Sequence, residues 1–175
     1  MQYLSKEERR EAILQAAMRV ALAEGLAAMT VRRIAAEAGV ATGQVHHHFA
    51  SGGELKSLAF VRVIRELLDA DVVGENASWR ERLHSMLGSD DGGLEPYIRL
   101  WREAQILASR DPEINAAYAL TMEMWHQETV AIIRAGAEAN AFTLADQPEN
   151  IAWRLIGLVC GLDGIYVLNM PEMDD

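Results

Sequence analysis

The chain has 175 residues, 50% of them apolar and 24% charged, which supplies enough apolar material for a packed core and excludes a disordered chain. Its formal net charge of -10 argues at face value against a nucleic-acid partner, but residues 1–70 carry nine basic and eight acidic side chains while residues 71–175 carry seven and eighteen. One cysteine, Cys160, excludes an internal disulfide and a cysteine-rich zinc site.

Apolar residues recur at helical spacing nearly throughout and period-two alternation is missing, so the expected class is all-α. The first helix opens at Ser5 with Glu8 three residues on, a capping box in which each side chain satisfies the other end's free N–H. Ile13, Leu14, Ala17, Met18 and Ala21 form its apolar stripe, and Gly25 is its stop. Thr30 caps a short helix lined by Val31, Ile34, Ala35 and Ala38 and closed by Gly39. A second short helix covers about Thr42 to Phe49. Ser51 and Glu54 form another capping box, opening a longer helix with Leu55, Leu58, Ala59, Ile64 and Leu68 inward. Further helices are expected over about 78–87, 94–109 and, from Asp111-Pro112, to about Asn140. The last runs from about Glu149 to Leu168. Leu155 to Leu168 is too short to span a bilayer and is interrupted by Asp163. No basic, apolar and small-residue leader pattern opens the chain, so the expectation is a soluble cytoplasmic protein.

The informative segment is residues 30–49. A helix-turn-helix requires a small residue where its helices cross, which Ala35 supplies, and a turn residue tolerant of positive φ, which Gly39 supplies. Ile34, Val40 and Val45 brace the pair, and the second helix then offers its polar face to a major groove. Three histidines follow in succession, but consecutive helical residues point about 100° apart, so His46, His47 and His48 do not converge on one ion and no metal is expected.

Thr30-Val31-Arg32-Arg33-Ile34-Ala35-Ala36-Glu37-Ala38-Gly39-Val40-Ala41-Thr42-Gly43-Gln44-Val45-His46-His47-His48-Phe49 resembles the DNA-binding domain of the tetracycline-repressor (TetR) family. Ile13-Leu14, Ala16-Ala17 and Glu24-Gly25 fit that family's first helix, so the resemblance covers about residues 8–60. It departs at Ala41, where a capping Ser is usual, at His46 in place of Tyr, and at Gly52 in place of a backbone-touching Lys. The resemblance implies DNA contacts at Thr30, Arg32, Arg33, Thr42, Gly43, Gln44, His46, His47 and Lys56. Gln44 is the candidate for reading a base edge, because its amide matches adenine N7 and N6.

The resemblance divides the chain into a DNA-binding domain over 1–52, a connecting helix over 53–70, and a helical ligand-binding and dimerisation domain over 71–175. In the last helix, Ile151, Leu155, Leu158, Leu162 and Ile165 are the expected dimer face, with Gly157, Gly161 and Gly164 permitting close approach. Tyr97, Trp101, Met122, Trp125 and His126 are candidate ligand-lining residues, with Met86 and Tyr118 in addition, since aromatics with Met suit an adaptable pocket. The implied protein is a homodimeric repressor that leaves a palindromic double-stranded operator when a small-molecule effector binds, with no cofactor. Control by a protein partner instead of a small molecule is the alternative. An enzyme is the least supported reading: the chain has no Gly-x-Ser-x-Gly, no His-Glu-x-x-His and no phosphate-binding Gly loop.

Overall fold

The computed structural model describes residues 5–70, 73–88 and 93–168. Among them the chain forms helices and turns with no strand. The helices are α1 (Lys6–Glu24), α2 (Val31–Ala38), α3 (Thr42–His48), α4 (Gly52–Asp69), α5 (Trp79–Met86), α6 (Glu95–Ala108), α7 (Pro112–Glu138) and α8 (Pro148–Tyr166), with a 3-10 turn at Leu26–Ala28. The tail after Leu168 and part of the polar 88–93 loop lie outside the described residues.

Local chemistry accounts for most of the boundaries. At the start of α1 the Ser5 hydroxyl accepts from the Glu8 N–H at 3.1 Å, and the Glu8 carboxylate accepts from the Ser5 N–H at 2.7 Å. Those same bonds hold the Glu8 carboxyl below its ordinary range. Ser78 and Glu81 repeat the arrangement at α5. At α7 the Asp111 carboxylate accepts from the N–H groups of Glu113 and Ile114, with Pro112 at the first helical position. The box expected at α4 forms one residue out of register: Ser51 accepts from the Glu54 N–H, but Glu54 accepts from Ala50 and not from Ser51.

Packing divides the chain into two units, Met1–Asp69 with Gly92–Met122, and Ala70–Asp91 with Glu123–Asp175. The first has a continuous core around Phe60, Ile13, Leu26, Ile34, Leu55, Ile64, Leu100 and Ile114, all essentially sealed from water. α1 packs against α2, α3, α4 and α6, and it buries Ala16 and Val20 as well as the expected stripe. In α4 the buried arc runs from Leu55 through Ala59, Val63 and Phe60 to Ile64. At about 100° per residue Leu58 falls outside that arc, and it is 37% exposed, not inward. Leu68 is half-buried.

The second unit is built from α5, the later part of α7, and α8. Val130, Ile133 and Ala152 form a small core, with Leu83, Leu144, Ile151 and Leu155 packed on it. The Phe142 ring lies against Gly136 so closely that a Cβ there would overlap it. No described helix is long and apolar enough to cross a membrane.

Candidate nucleic-acid interface

Thr30 starts the motif by accepting from the Arg33 N–H at 3.1 Å. α2 ends at Gly39, whose φ of 67° and ψ of 33° place it in the left-handed region that glycine enters without steric cost. Its N–H reaches the carbonyls of Ala35 and Ala36, and the Val40 N–H reaches Ala35 at 3.0 Å. The chain is thereby turned sharply into α3. Ile34 and Ala35 of α2, Val45 of α3 and Phe49 just beyond it are buried, so α3 has one anchored face. Its other face, Thr42, Gly43, Gln44, His46 and His47, is exposed. Ala41 gives α3 no side-chain cap, and Thr42 does not supply one.

Around this motif the charged side chains differ in freedom. Arg32 is exposed and makes no ion pair among the described residues. Lys56 is half-buried one turn into α4. Arg33 is held by Glu24 at 2.6 Å and Glu37 at 3.1 Å, and Glu37 also binds Arg19 at 3.1 Å. The hydrogen bonds that Arg33 donates to Glu24 and then to Glu37 raise its pKa. Those from Arg19 and then Arg33 lower that of the Glu37 carboxyl.

Sequence reading missed the basic residues of α1. Arg10 lies over the Phe49 ring at 4.8 Å. His48 is half-buried, its Nδ1 has no partner among the described residues, and its ring meets His47 edge-on. Burial foremost, and then the positive charges of His47, Lys6, Arg9 and Arg10, press the His48 pKa down. The only signal was the spacing of Lys6, Arg9 and Arg10, and nothing local tied it to residues some forty positions later. At the Gly52 departure α4 begins close against α2, and a Cβ there would come within 3.2 Å of Val31 Cγ2.

The candidate ligand residues fall into both units. Trp101 meets Tyr118 edge-on at 6.3 Å in the first, where Tyr97 and Met122 are half-buried. In the second, Trp125 is buried and donates its indole N–H to the Met86 carbonyl at 2.7 Å. His126 stacks on Trp153 at 4.2 Å and bonds the Glu149 carbonyl at 3.0 Å. A cavity of about 300 Å³ is lined by His126, Gln127, Val130, Ala131, Arg134 and Glu149. A larger one of about 780 Å³ is lined by Val73 to Ala77 with Arg80, Glu81 and His84, none of them among the candidate ligand residues.

The five residues of the expected dimer face also separate. Ile151 and Leu155 pack on the unit's own core. Leu158, Leu162 and Ile165 are 58%, 42% and 41% exposed, continued by Tyr166, Val167 and Leu168.

Three comparisons bear on this arrangement. The family model for bacterial regulatory proteins of the tetR family matches residues 13–55. The HTH-type transcriptional repressor KstR2 of Mycobacterium tuberculosis is 30% identical over 160 residues, 85% of this chain and 76% of the repressor. Among solved structures, a TetR-family regulator from Rhodococcus is 25% identical with a TM-score of 0.73, covering 93% of this chain and 89% of that one. A transcriptional regulator from Saccharomonospora viridis, solved in complex with choline, is 26% identical with a TM-score of 0.71, covering 95% and 88%.

Proposed function

The chain belongs to the tetR family of bacterial regulatory proteins, as a DNA-binding transcriptional regulator and not an enzyme, and on that premise we propose that it is a homodimeric repressor released from its operator by a small molecule. The observation that carries the reading is α3, anchored through Val45 and exposed along Thr42, Gly43, Gln44, His46 and His47. A two-fold dimer would set two such helices in successive major grooves of a palindromic site, about one helical turn apart. Gln44 reads a base edge, while Thr30, Arg32, Thr42, His46, His47 and Lys56 meet phosphate and Gly43 lets the backbone approach. Arg33, already tied to Glu24 and Glu37, belongs to the frame that holds α2.

By role, residues 1–52 are the reading head, 53–70 the connection and 71–175 the effector and dimer body. Leu158, Leu162 and Ile165 of α8 supply the self-complementary surface, because exposed apolar side chains at helical spacing gain most by meeting a second copy. The effector is a small cation or neutral molecule. Eighteen acidic against seven basic side chains in residues 71–175 disfavour an anion, and the Trp101 and Tyr118 faces suit a cation. Choline in the Saccharomonospora relative is of that chemistry. An effector acts only if it favours the released geometry.

The test is a band-shift with the DNA upstream of the protein's own gene. Retention should weaken as a straight line in log salt, since bound phosphates release counterions. Choline at millimolar concentration is the first effector probe. No retention even at low ionic strength overturns the reading.

A further inference from the structure

The turn between α1 and the 3-10 helix is gripped from two directions. On one side stands α6. The Arg99 guanidinium donates to the carbonyls of Leu22 at 2.8 Å and Ala23 at 3.4 Å. One helical turn further along α6, the Glu103 carboxylate accepts from the N–H groups of Leu26 at 2.7 Å and Ala27 at 2.8 Å. A cation therefore meets the carbonyl end of one helix and an anion the N–H end of the next. Residues four apart share a helix face, so both grips come from one side of α6. Between them lies Gly25, with φ at 87°, where an added Cβ would sit 2.6 Å from Glu103 Oε2. No side chain of the turn itself caps the 3-10 helix.

On the other side stands α2. Glu24, inside the gripped segment, accepts from Arg33 Nε at 3.0 Å and Nη2 at 2.6 Å. Arg33 in turn binds Glu37, which Arg19 also holds. Exposed ion pairs of this kind stabilise a fold little. Their effect here is geometric: a planar guanidinium with two carboxylates fixes where α2 stands relative to the end of α1.

We propose that Arg99 and Glu103 are positioning residues for DNA binding: α6 sets the Leu22–Ala27 turn, and Arg33 passes that setting to α2 and so to the reading helix. A shift of α6 then re-aims the head with no need to melt it. The functional consequence rests on the DNA-binding reading above; the mechanical linkage does not.

The experiment follows amide hydrogen exchange in the full chain for wild type, Glu103→Gln, Arg33→Gln and the double variant. In Glu103→Gln, exchange at Leu26 and Ala27 should rise about tenfold, and exchange over Ile34–Val40 should rise with it, while Ile13–Met18 stay as in wild type. In the double variant, Ile34–Val40 should exchange no faster than in the faster single variant. Acceleration confined to residues 26–28, or additive acceleration in α2, overturns the linkage. Operator affinity, corrected for the active fraction, should fall about tenfold in Glu103→Gln and no further in the double variant. A merely stabilising cap would lower the melting temperature and leave that corrected affinity unchanged. If wild type retains no DNA, the regulator reading fails while the exchange arm still decides the linkage. Should Glu103→Gln not fold, Arg99→Gln tests the same turn from its carbonyl side, with the same expected spread into α2.

Discussion

The two units bury apolar surface in different ways. In the first, Phe60, Ile13, Leu26, Ile34, Leu55 and Ile64 meet in one sealed core drawn from three helices and the 3-10 turn. In the second, Val130, Ile133 and Ala152 make a small core, and α8 leaves Leu158, Leu162 and Ile165 between 41% and 58% exposed. A closed core is a statement about one chain. An apolar helix face left in water is a statement about what binds it, since each such side chain gains of order 1.5–3 kcal/mol on full burial. The first unit closes its core around the face that anchors α3, and the second leaves an apolar face of α8 uncovered.

Five substitutions, the last followed across a pH series, would break or sharpen that contrast. The largest effect is expected from Phe60→Ala, which removes the largest sealed side chain of the first unit and should cost about 3–5 kcal/mol in denaturant unfolding. A loss under 1 kcal/mol would mean that the core is not closed. Next comes Leu162→Asp, which places a charge on the open α8 face. Self-association measured by sedimentation should weaken about a hundredfold, or about 2.7 kcal/mol, with the monomer's helicity kept. An unaltered dimer would move the interface elsewhere. Gln44→Ala should then relax base preference at one operator position by about 1–3 kcal/mol in competition binding, leaving stability as it was. An unchanged preference sinks the base-reading role.

Smaller still is Thr30→Ala, which unpairs the Arg33 N–H and should cost about 1 kcal/mol of unfolding free energy. The smallest effect concerns His48. Its folded pKa lies below the ordinary 6.5, so the unfolded chain binds more protons as the solution is acidified. Its contribution is whole above about pH 6.5 and is lost as pH falls through that value toward the folded pKa. His48→Asn should therefore flatten the fall in melting temperature between pH 7 and pH 5. An unchanged slope would assign that fall to other groups.

Short-range features were legible before any coordinates. Ser5 with Glu8, Thr30 and Asp111-Pro112 each act within four residues, and the chain obeys them. Gly39 was legible for the same reason, since its left-handed φ is a local demand. Leu58 was misread because helical period says which residues share a face, not how wide the covered arc will be. Ile151 and Leu155 were grouped with Leu158, Leu162 and Ile165 on one stripe, but neighbouring elements cover only the first two. The Trp125 indole N–H meets the Met86 carbonyl 39 residues away, a pairing with no local signal. The grip of Arg99 on Leu22 spans 77 residues and has no sequence signature.

By itself the sequence determined an all-helical chain, a helix-turn-helix over residues 30–49 and the division of charge between its two parts. Periodicity, caps and residue order are local and survive without coordinates. Only the tertiary structure decided that Arg33 belongs to an ion-pair frame, that Gly52 starts α4 close against Val31, and that Leu158, Leu162 and Ile165 of α8 stay exposed while Ile156 is sealed. Each of those depends on which distant surface arrives at a side chain, and a helix carries its faces with it whether or not anything comes to cover them.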